Sequence, residues 1–272
     1  MAKFELNGVT LNYQTFGDAA NPALVFSNSL GTNLNMWKSQ VEFFKENFYV
    51  ICYDSRGHGA SSTPAGPYTV EQLGLDVIHL LDHLKVEKAN FCGISMGGLI
   101  GQWLAIHQAE RFNKVIVCNT AAKIGEEKAW LERAALVREH GLEQIAATAA
   151  SRWFTDGFIK NNPDVVAALS QDLAAGCNLG YASCCEALAV EDLREKISSI
   201  SIPLLVVAGK QDPVTTVADA QFIVDKVTHS QLFEVDASHI SNIEQADVFN
   251  QGVLRFSQRL IQTAPELTPI FI

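Results

Sequence analysis

The sequence predicts an α/β fold in which a mostly parallel β-sheet is covered by helices on both faces and interrupted by an inserted helical cap. Apolar strand-like runs alternate with a helical run before residue 121, vanish from about residue 122 to residue 199, and return after residue 200. Runs that are apolar on both faces are typical of parallel strands between helical layers. We therefore expect a core of residues 1–121 and 200–272 and a cap of residues 122–199.

The elements of this fold can be assigned in chain order. Strands are expected at residues 9–16, 23–27, 49–53, 89–92, 115–119, 203–209 and 231–235. Helices are expected at residues 70–84, 126–139, 141–152, 164–173 and 247–261. Ligands of such sheets bind at the carboxyl ends of the strands, and we expect the inserted cap to cover that edge.

Composition and charge exclude several classes of protein. The chain has 272 residues, of which 48% are hydrophobic, enough for one buried core with an insertion. Its net charge is -10 and its basic residues form no cluster, which argues against a nucleic-acid or anionic-membrane partner. No apolar run resembles a signal peptide or a membrane span, so we expect a cytoplasmic protein.

The cysteines and histidines give no sign of a metal or redox site. Cys52, Cys92 and Cys118 lie in apolar strand-like runs, where cysteine is a small core residue, and no pair has Cys-x-x-Cys spacing. His79 and His83 have the i, i+4 spacing of a metal pair on a helix, but they lack a nearby third ligand. We interpret both as surface residues and expect neither metal nor cofactor.

The most informative motif is the pentad at residues 93–97, which lies between a strand-like and a helix-like run. A serine at such a turn exposes its Oγ, and the flanking glycines permit a close approach of the chains. The following helix points its first amides at the reacting centre, so the Met96 N–H can donate to an oxyanion. The motif predicts Ser95 as a nucleophile.

A serine nucleophile needs a base, and that base needs a carboxylate to orient it. Asp212 follows a strand-like run and His239 lies a few residues past the last one, so the order Ser, Asp, His is the one expected for this fold. Asp236 is the alternative acid. It precedes His239 by three residues and would have to fold back over its own turn, so we favour Asp212.

Two loops complete the predicted site. The second oxyanion donor is expected after the strand at 23–27, where the Leu30 N–H is the candidate. Many proteins of this fold carry His-Gly where this chain has Asn28-Ser29, a change that leaves a backbone donor intact. The loop at residues 54–59 contains two glycines, and we favour a structural turn there over direct substrate contact.

Taken together, seven segments resemble the 3-oxoadipate enol-lactonases of the alpha/beta-hydrolase superfamily over nearly the whole chain. They are residues 28–32 with Trp37, 53–59, 91–98, 118–122, 152–155, 180–187 and 236–242. The cap segment 180–187 is the most specific, because esterases, perhydrolases and C–C hydrolases share the triad. The resemblance implies hydrolysis of the enol-lactone to 3-oxoadipate in the beta-ketoadipate branch of bacterial aromatic catabolism.

The substrate implied by this resemblance is a small lactone that carries a carboxylate. Arg133 is the candidate charged donor and Trp130 an apolar wall with one N–H, while Trp153 is expected to line the same pocket. The alternatives are a solvated helix residue for Arg133 and core packing for Trp153. A general carboxylesterase or cofactor-free perhydrolase remains an alternative function, as does a small-molecule receptor built on a hydrolase fold.

Overall fold

The computed structural model describes residues 2–258, whose centre is an eight-stranded sheet of order β1-β2-β4-β3-β5-β6-β7-β8. β1 and β2 pair antiparallel, β2 pairs antiparallel with β4, and every other neighbouring pair is parallel. The strands are β1 Ala2–Leu6, β2 Val9–Phe16, β3 Ala23–Ser27, β4 Tyr49–Tyr53, β5 Ala89–Ile94, β6 Phe112–Cys118, β7 Leu204–Gly209 and β8 Ser230–Val235. The predicted fold class, a mostly parallel sheet with helices, is confirmed.

Helices cover this sheet and fill the stretch between β6 and β7. Outside that stretch they are α1 Lys38–Phe44, α2 Val70–His83, α3 Met96–His107, α10 Val217–Lys226, α11 Ser241–Glu244 and α12 Ala246–Gln258. Between β6 and β7 they are α4 Glu127–His140, α5 Glu143–Ala147, α6 Ala150–Trp153, α7 Asp156–Asn161, α8 Pro163–Ala174 and α9 Asn178–Val190. Short 3₁₀ turns occur at Leu34–Trp37, Ala109–Arg111 and Ile197–Ser199.

The parallel register aligns the carboxyl ends of the central strands. Ser27 at the end of β3 lies opposite Gly93 on β5, and Gly209 at the end of β7 lies opposite Val235 on β8. The loops that leave β3, β5, β7 and β8 therefore start from one edge of the sheet. These loops hold the residues predicted as oxyanion donor, nucleophile, acid and base.

The edge hairpin formed by β1 and β2 was absent from the sequence prediction. β1 is mostly exposed and has only two large apolar residues, so it gives little strand signal. Its turn is Asn7-Gly8, where both residues have a positive φ, at 53° and 79°. Asn-Gly is the preferred pair for a two-residue hairpin turn, and this pair was the available signal.

The helical region differs from its prediction in detail. The helix expected at residues 141–152 is divided into α5 and α6, and α7 and α9 were not predicted. α9 is buried on most of its faces, so it lacks the one-sided apolar stripe by which a surface helix is recognised. The closing helix is α12, and the last part of the range expected for it, after residue 258, lies outside the described residues. The division into core and cap remains a prediction.

Within residues 2–258 no single helix has the length and apolar character needed to cross a membrane. α8 and α9 reach that length and apolar character only together, and a bend of 93° separates them.

A backbone-to-backbone contact joins α9 to the loop after β4. Gly57 has a positive φ of 76°, and a Cβ on it would lie 2.5 Å from the Gly180 Cα. A Cβ on Gly180 would in turn collide with the Gly57 carbonyl. Two facing glycines therefore allow the helix to reach this loop, and neither position has room for a larger residue.

We expect Gly180→Ala to lower the free energy of unfolding by about 1–3 kcal/mol, because its methyl group overpacks this contact. Gly157→Ala in α7 is the matched control, since the nearest atom to its new Cβ is the Thr155 Oγ at 4.0 Å. The control should be neutral or stabilising by up to about 1 kcal/mol, as alanine is the better helix former. Urea unfolding measures both, and equal stability of the two variants would contradict the close contact.

Candidate active site

Ser95 occupies a strained turn between β5 and α3. Its φ is 57° and its ψ is -115°, a conformation that L-residues rarely adopt and that is typical of a nucleophile elbow. The turn is held by the Ser95 N–H, which donates to the Cys118 carbonyl at 2.8 Å. A Cβ on Gly93 would collide with the Gly97 carbonyl, and one on Gly97 would collide with the Ser27 carbonyl. The two glycines therefore permit the turn.

The three predicted triad residues form one chain of hydrogen bonds. The Ser95 Oγ lies 2.9 Å from the His239 Nε2, and the His239 Nδ1 lies 2.8 Å from the Asp212 Oδ2. With the imidazole neutral and its proton on Nδ1, the serine hydroxyl donates to Nε2 and Nδ1–H donates to the carboxylate. All three residues are buried. The arrangement has the contacts that allow an imidazole to take the serine proton.

Asp212 is held as a carboxylate by several donors. Its Oδ2 also accepts from the Asn119 Nδ2 at 3.1 Å and the Thr215 Oγ at 2.9 Å, and its Oδ1 accepts from the Val214 and Thr215 amides. Burial alone would raise the pKa of this carboxyl. The hydrogen bond and charge of His239, with the smaller contributions of Thr215 and Asn119, outweigh burial and leave the pKa of Asp212 below its ordinary value.

Asn119 is a site residue that the sequence reasoning missed. It follows β6 with a positive φ of 46°, and its side-chain amide donates to Asp212 and to the Ser238 carbonyl at 3.0 Å. Its Oδ1 accepts from the Ser241 hydroxyl at 2.6 Å. Asn119 thus ties the loop carrying Asp212 to the loop carrying His239. Its position at the carboxyl end of a central strand was the signal that could have identified it.

Asp236, the alternative acid, and the two histidines with metal-pair spacing are the other residues that the sequence singled out. Asp236 is exposed, and its Oδ1 accepts from the Gln211 Nε2 at 3.0 Å, so the geometry favours Asp212 as the partner of His239. His79 and His83 are on α2, where the His83 Nε2 lies 3.1 Å from the Tyr13 hydroxyl.

The loop after β3 brings Leu30 to the same cavity as Ser95. Asn28 anchors this loop: its Oδ1 accepts from the Trp37 indole at 2.8 Å, its Nδ2 donates to the Tyr53 carbonyl at 2.9 Å, and its own carbonyl accepts from the Gly97 amide. Met96 begins α3 on the other side of the site. Within residues 2–258 neither the Leu30 nor the Met96 amide donates to another group, so both are available to an oxyanion.

A cavity of about 290 Å³ opens over Ser95 and His239. The predicted residues Leu30, Trp130, Arg133 and Trp153 all line it, together with Ser29, Ile124, Gly125, Glu126, Ala129, Arg152, Leu173, Tyr181, Pro213 and Val214. The Trp130 N–H donates to the Ile124 carbonyl at 2.5 Å, so this residue offers the cavity its apolar ring and not the N–H that we expected. The Arg133 guanidinium lies 4.9 Å from the centre of that ring.

Arg152 is a second arginine at this cavity that the sequence reasoning did not select. Its guanidinium donates to the Thr148 hydroxyl at 2.7 Å and to the Ile145 carbonyl at 3.2 Å. Burial, and then the neighbouring positive charge of Arg133, lower the pKa of Arg152. In the described part of the chain neither arginine forms an ion pair. The cavity lining therefore has two positive charges against the single carboxylate of Glu126, an excess that an anion can neutralise.

Comparison with known proteins gives consistent matches. The family model for the alpha/beta hydrolase fold matches residues 22–246. The chain is 65% identical over 245 residues to 3-oxoadipate enol-lactonase 2 of Acinetobacter baylyi, covering 90% of this chain and 92% of that protein, and 48% identical to that organism's 3-oxoadipate enol-lactonase 1, covering 90% and 91%. The crystal structure of the enol-lactonase from Burkholderia xenovorans LB400 superposes with a TM-score of 0.93 at 42% identity, covering 95% of this chain and all of that one.

We expect Asp212→Asn to leave the fold intact and to lower kcat for p-nitrophenyl acetate by about 10⁴-fold, the loss seen when a serine triad loses its acid. The matched control is Asp236→Asn, whose carboxylate contacts Gln211 and should be dispensable. Steady-state kinetics with circular dichroism would check both. A larger loss in the Asp236 variant would reverse the assignment of the acid.

Proposed function

The chain belongs to the alpha/beta hydrolase fold family and, within it, to the 3-oxoadipate enol-lactonases, and we propose that it hydrolyses 3-oxoadipate enol-lactone to 3-oxoadipate through an acyl-enzyme on Ser95. The observation that carries this proposal is the hydrogen-bonded chain from Ser95 through His239 to Asp212 below a cavity that contains two arginines. The reaction belongs to the beta-ketoadipate branch of aromatic compound degradation.

Acylation begins when the Ser95 Oγ attacks the lactone carbonyl and its proton passes to the His239 Nε2. The carbonyl oxygen becomes an oxyanion that accepts hydrogen bonds from the Leu30 and Met96 amides. Asp212 stabilises the imidazolium that forms. When the intermediate collapses, the ring C–O bond breaks, and the departing enol oxygen takes the proton from His239. The enol then converts to the ketone, and the acyl group remains on Ser95.

Deacylation repeats these steps with water as the nucleophile. His239 takes a proton from the water, whose oxygen attacks the acyl carbonyl, and the oxyanion again forms between the two amides. The Ser95 Oγ leaves and recovers its proton from His239. The product carries a new carboxylate in addition to the one that the substrate already had. His239 carries the proton of each acyl transfer, whereas the enol-to-ketone conversion and the ionisation of the new carboxylic acid exchange their protons with solvent.

Recognition of the substrate carboxylate falls to Arg133, with Arg152 as a second positive charge. Both line the cavity, and a planar guanidinium is suited to a carboxylate. Trp130 and Trp153 supply apolar walls on either side of the lactone ring. Binding at the remote carboxylate positions the carbonyl against Ser95, so these contacts affect turnover as well as affinity.

The two arginines also separate this proposal from the alternatives. A general carboxylesterase or perhydrolase acts on neutral esters or acids and has no need of paired positive charges in its acyl pocket. A receptor would bind the lactone without multiple turnover. The cytoplasmic location and the lack of nucleic-acid and membrane partners remain predictions from the sequence.

Ser95→Ala tests the covalent step. We expect this variant to bind 3-oxoadipate as tightly as the wild type and to lose at least about 10⁴-fold in kcat on the enol-lactone, because no hydroxyl remains to form the acyl-enzyme. Ultraviolet absorbance follows loss of the lactone, and calorimetry measures binding of the product. Near-normal hydrolysis by the variant would rule out the mechanism.

Arg133→Ala tests carboxylate recognition. Loss of one charged hydrogen bond should lower kcat/KM for the enol-lactone by about 10- to 100-fold and change that for neutral p-nitrophenyl acetate by no more than about threefold. Arg138→Ala is the matched control, because Arg138 lies on the same helix and pairs with Glu186 at 2.6 Å, away from the cavity lining. An equal loss on both substrates would remove Arg133 from this role.

A further inference from the structure

The loop at residues 54–59 contacts the oxyanion loop through one buried histidine. The Gly31 N–H donates to the His58 Nε2 at 3.0 Å, and Gly31 directly follows Leu30. His58 is 6% exposed and is absent from the lining of the cavity over Ser95. We propose that His58 is a positioning residue that aligns the Leu30 amide for oxyanion binding through its hydrogen bond to Gly31. The proposal rests on the role of Leu30 in the proposed function.

The direction of this hydrogen bond fixes the state of the imidazole. A backbone N–H only donates, so the Nε2 that receives it carries no proton. The network therefore assigns the proton to the Nδ1, which faces the Arg56 carbonyl at 3.4 Å. Burial, against smaller opposing effects of the Arg56 carbonyl and the Asp54 charge, lowers the pKa of His58 and favours this neutral form.

The two peptide planes beside Leu30 are each held from outside. The Ser29 carbonyl accepts from the Thr32 amide at 3.2 Å and from the Thr32 hydroxyl at 2.8 Å. Because a trans peptide directs its N–H opposite to its C=O, these bonds orient the Leu30 N–H. The next plane contains the Gly31 N–H, which His58 holds. Loss of the His58 bond frees the plane between Leu30 and Gly31, and it reaches the Leu30 N–H through the Leu30 Cα and through the turn that joins Gly31 to Thr32 and the Ser29 carbonyl.

His58 supplies the polar restraint on its side of the loop. Gly31 and His58 both line a second cavity, of about 330 Å³, which shares Leu173 and Tyr181 with the cavity over Ser95. Gly31 has a positive φ of 80°, a conformation that glycine leaves without a strong steric penalty. The Leu173 and Tyr181 side chains pack closely against Gly31, at 2.6 and 3.1 Å from where a Cβ would lie, but only the imidazole supplies a directional hydrogen bond to its N–H.

The test compares His58→Leu with His58→Gln, whose side-chain carbonyl can still accept from Gly31. We expect the leucine variant to lose about 10- to 100-fold in kcat, with KM within about twofold of the wild type, because an oxyanion donor is misplaced. The glutamine variant should recover most of this loss. Both variants are assayed with the enol-lactone and with p-nitrophenyl acetate, since the oxyanion forms on any ester carbonyl.

Binding measurements distinguish a misaligned Leu30 amide from a general disruption of the active site. A trifluoromethyl ketone adds to Ser95 and places a full oxyanion between the two amides, whereas the new carboxylate of 3-oxoadipate shares its charge over two oxygens and depends less on these donors. His58→Leu should weaken binding of the ketone by the same factor as kcat/KM and weaken binding of 3-oxoadipate much less. His83→Leu is the matched control, because this histidine contacts Tyr13 instead of the oxyanion loop. The control should change neither kcat nor binding of the ketone.

Three results would overturn the proposal: an unchanged kcat in His58→Leu, equal weakening of the ketone and of 3-oxoadipate, or a glutamine variant no better than leucine. If His58→Leu does not fold, His58→Asn replaces it, since the shorter amide stops short of Gly31 and the comparison with glutamine decides. If the wild type lacked lactonase activity but the variants still lost p-nitrophenyl acetate hydrolysis, the proposed substrate would be wrong and the role of His58 would stand.

Discussion

The strained backbone at Ser95 is the constraint on which the rest of the site depends. Its positive φ turns the chain from β5 into α3 within one residue, so that the hydroxyl contacts His239 and α3 begins at Met96. Such a conformation costs of order 1–3 kcal/mol and persists only where the surroundings fix it. Here the Cys118 carbonyl and the room left by Gly93 and Gly97 fix it.

Buried amide side chains brace the loops around this turn. Asn28 connects the loop after β3 to β4 and α3, and Asn119 connects the loops that carry Asp212 and His239. Loops that must leave a cavity open have few apolar contacts to hold them. Directional hydrogen bonds therefore fix the positions of these loops. An amide has both donors and an acceptor, which lets one side chain join two or three segments.

The features that could be predicted from the sequence are those that depend on the order of residues along the chain. Apolar runs identified the sheet, and the order of Ser95, Asp212 and His239, each after a strand, identified a candidate triad that the structure brings into hydrogen-bond contact. Asn119 and Arg152 escaped notice because their significance lies in contacts between distant segments. Helix α9 escaped because burial on most faces removes the periodicity that marks a helix, and β1 because an exposed edge strand needs little apolar sequence.

The lining of the cavity over Ser95 has a local charge opposite in sign to that of the whole chain. The chain carries a net charge of -10, whereas this lining contains Arg133 and Arg152 against one carboxylate, Glu126. An approaching anion meets repulsion at long range and attraction at short range. Since the Debye length is about 8 Å at physiological ionic strength, dissolved ions screen the distant repulsion more strongly than the enclosed attraction. A moderate salt concentration therefore weakens the long-range repulsion of an anion more than its attraction to the arginines inside the cavity.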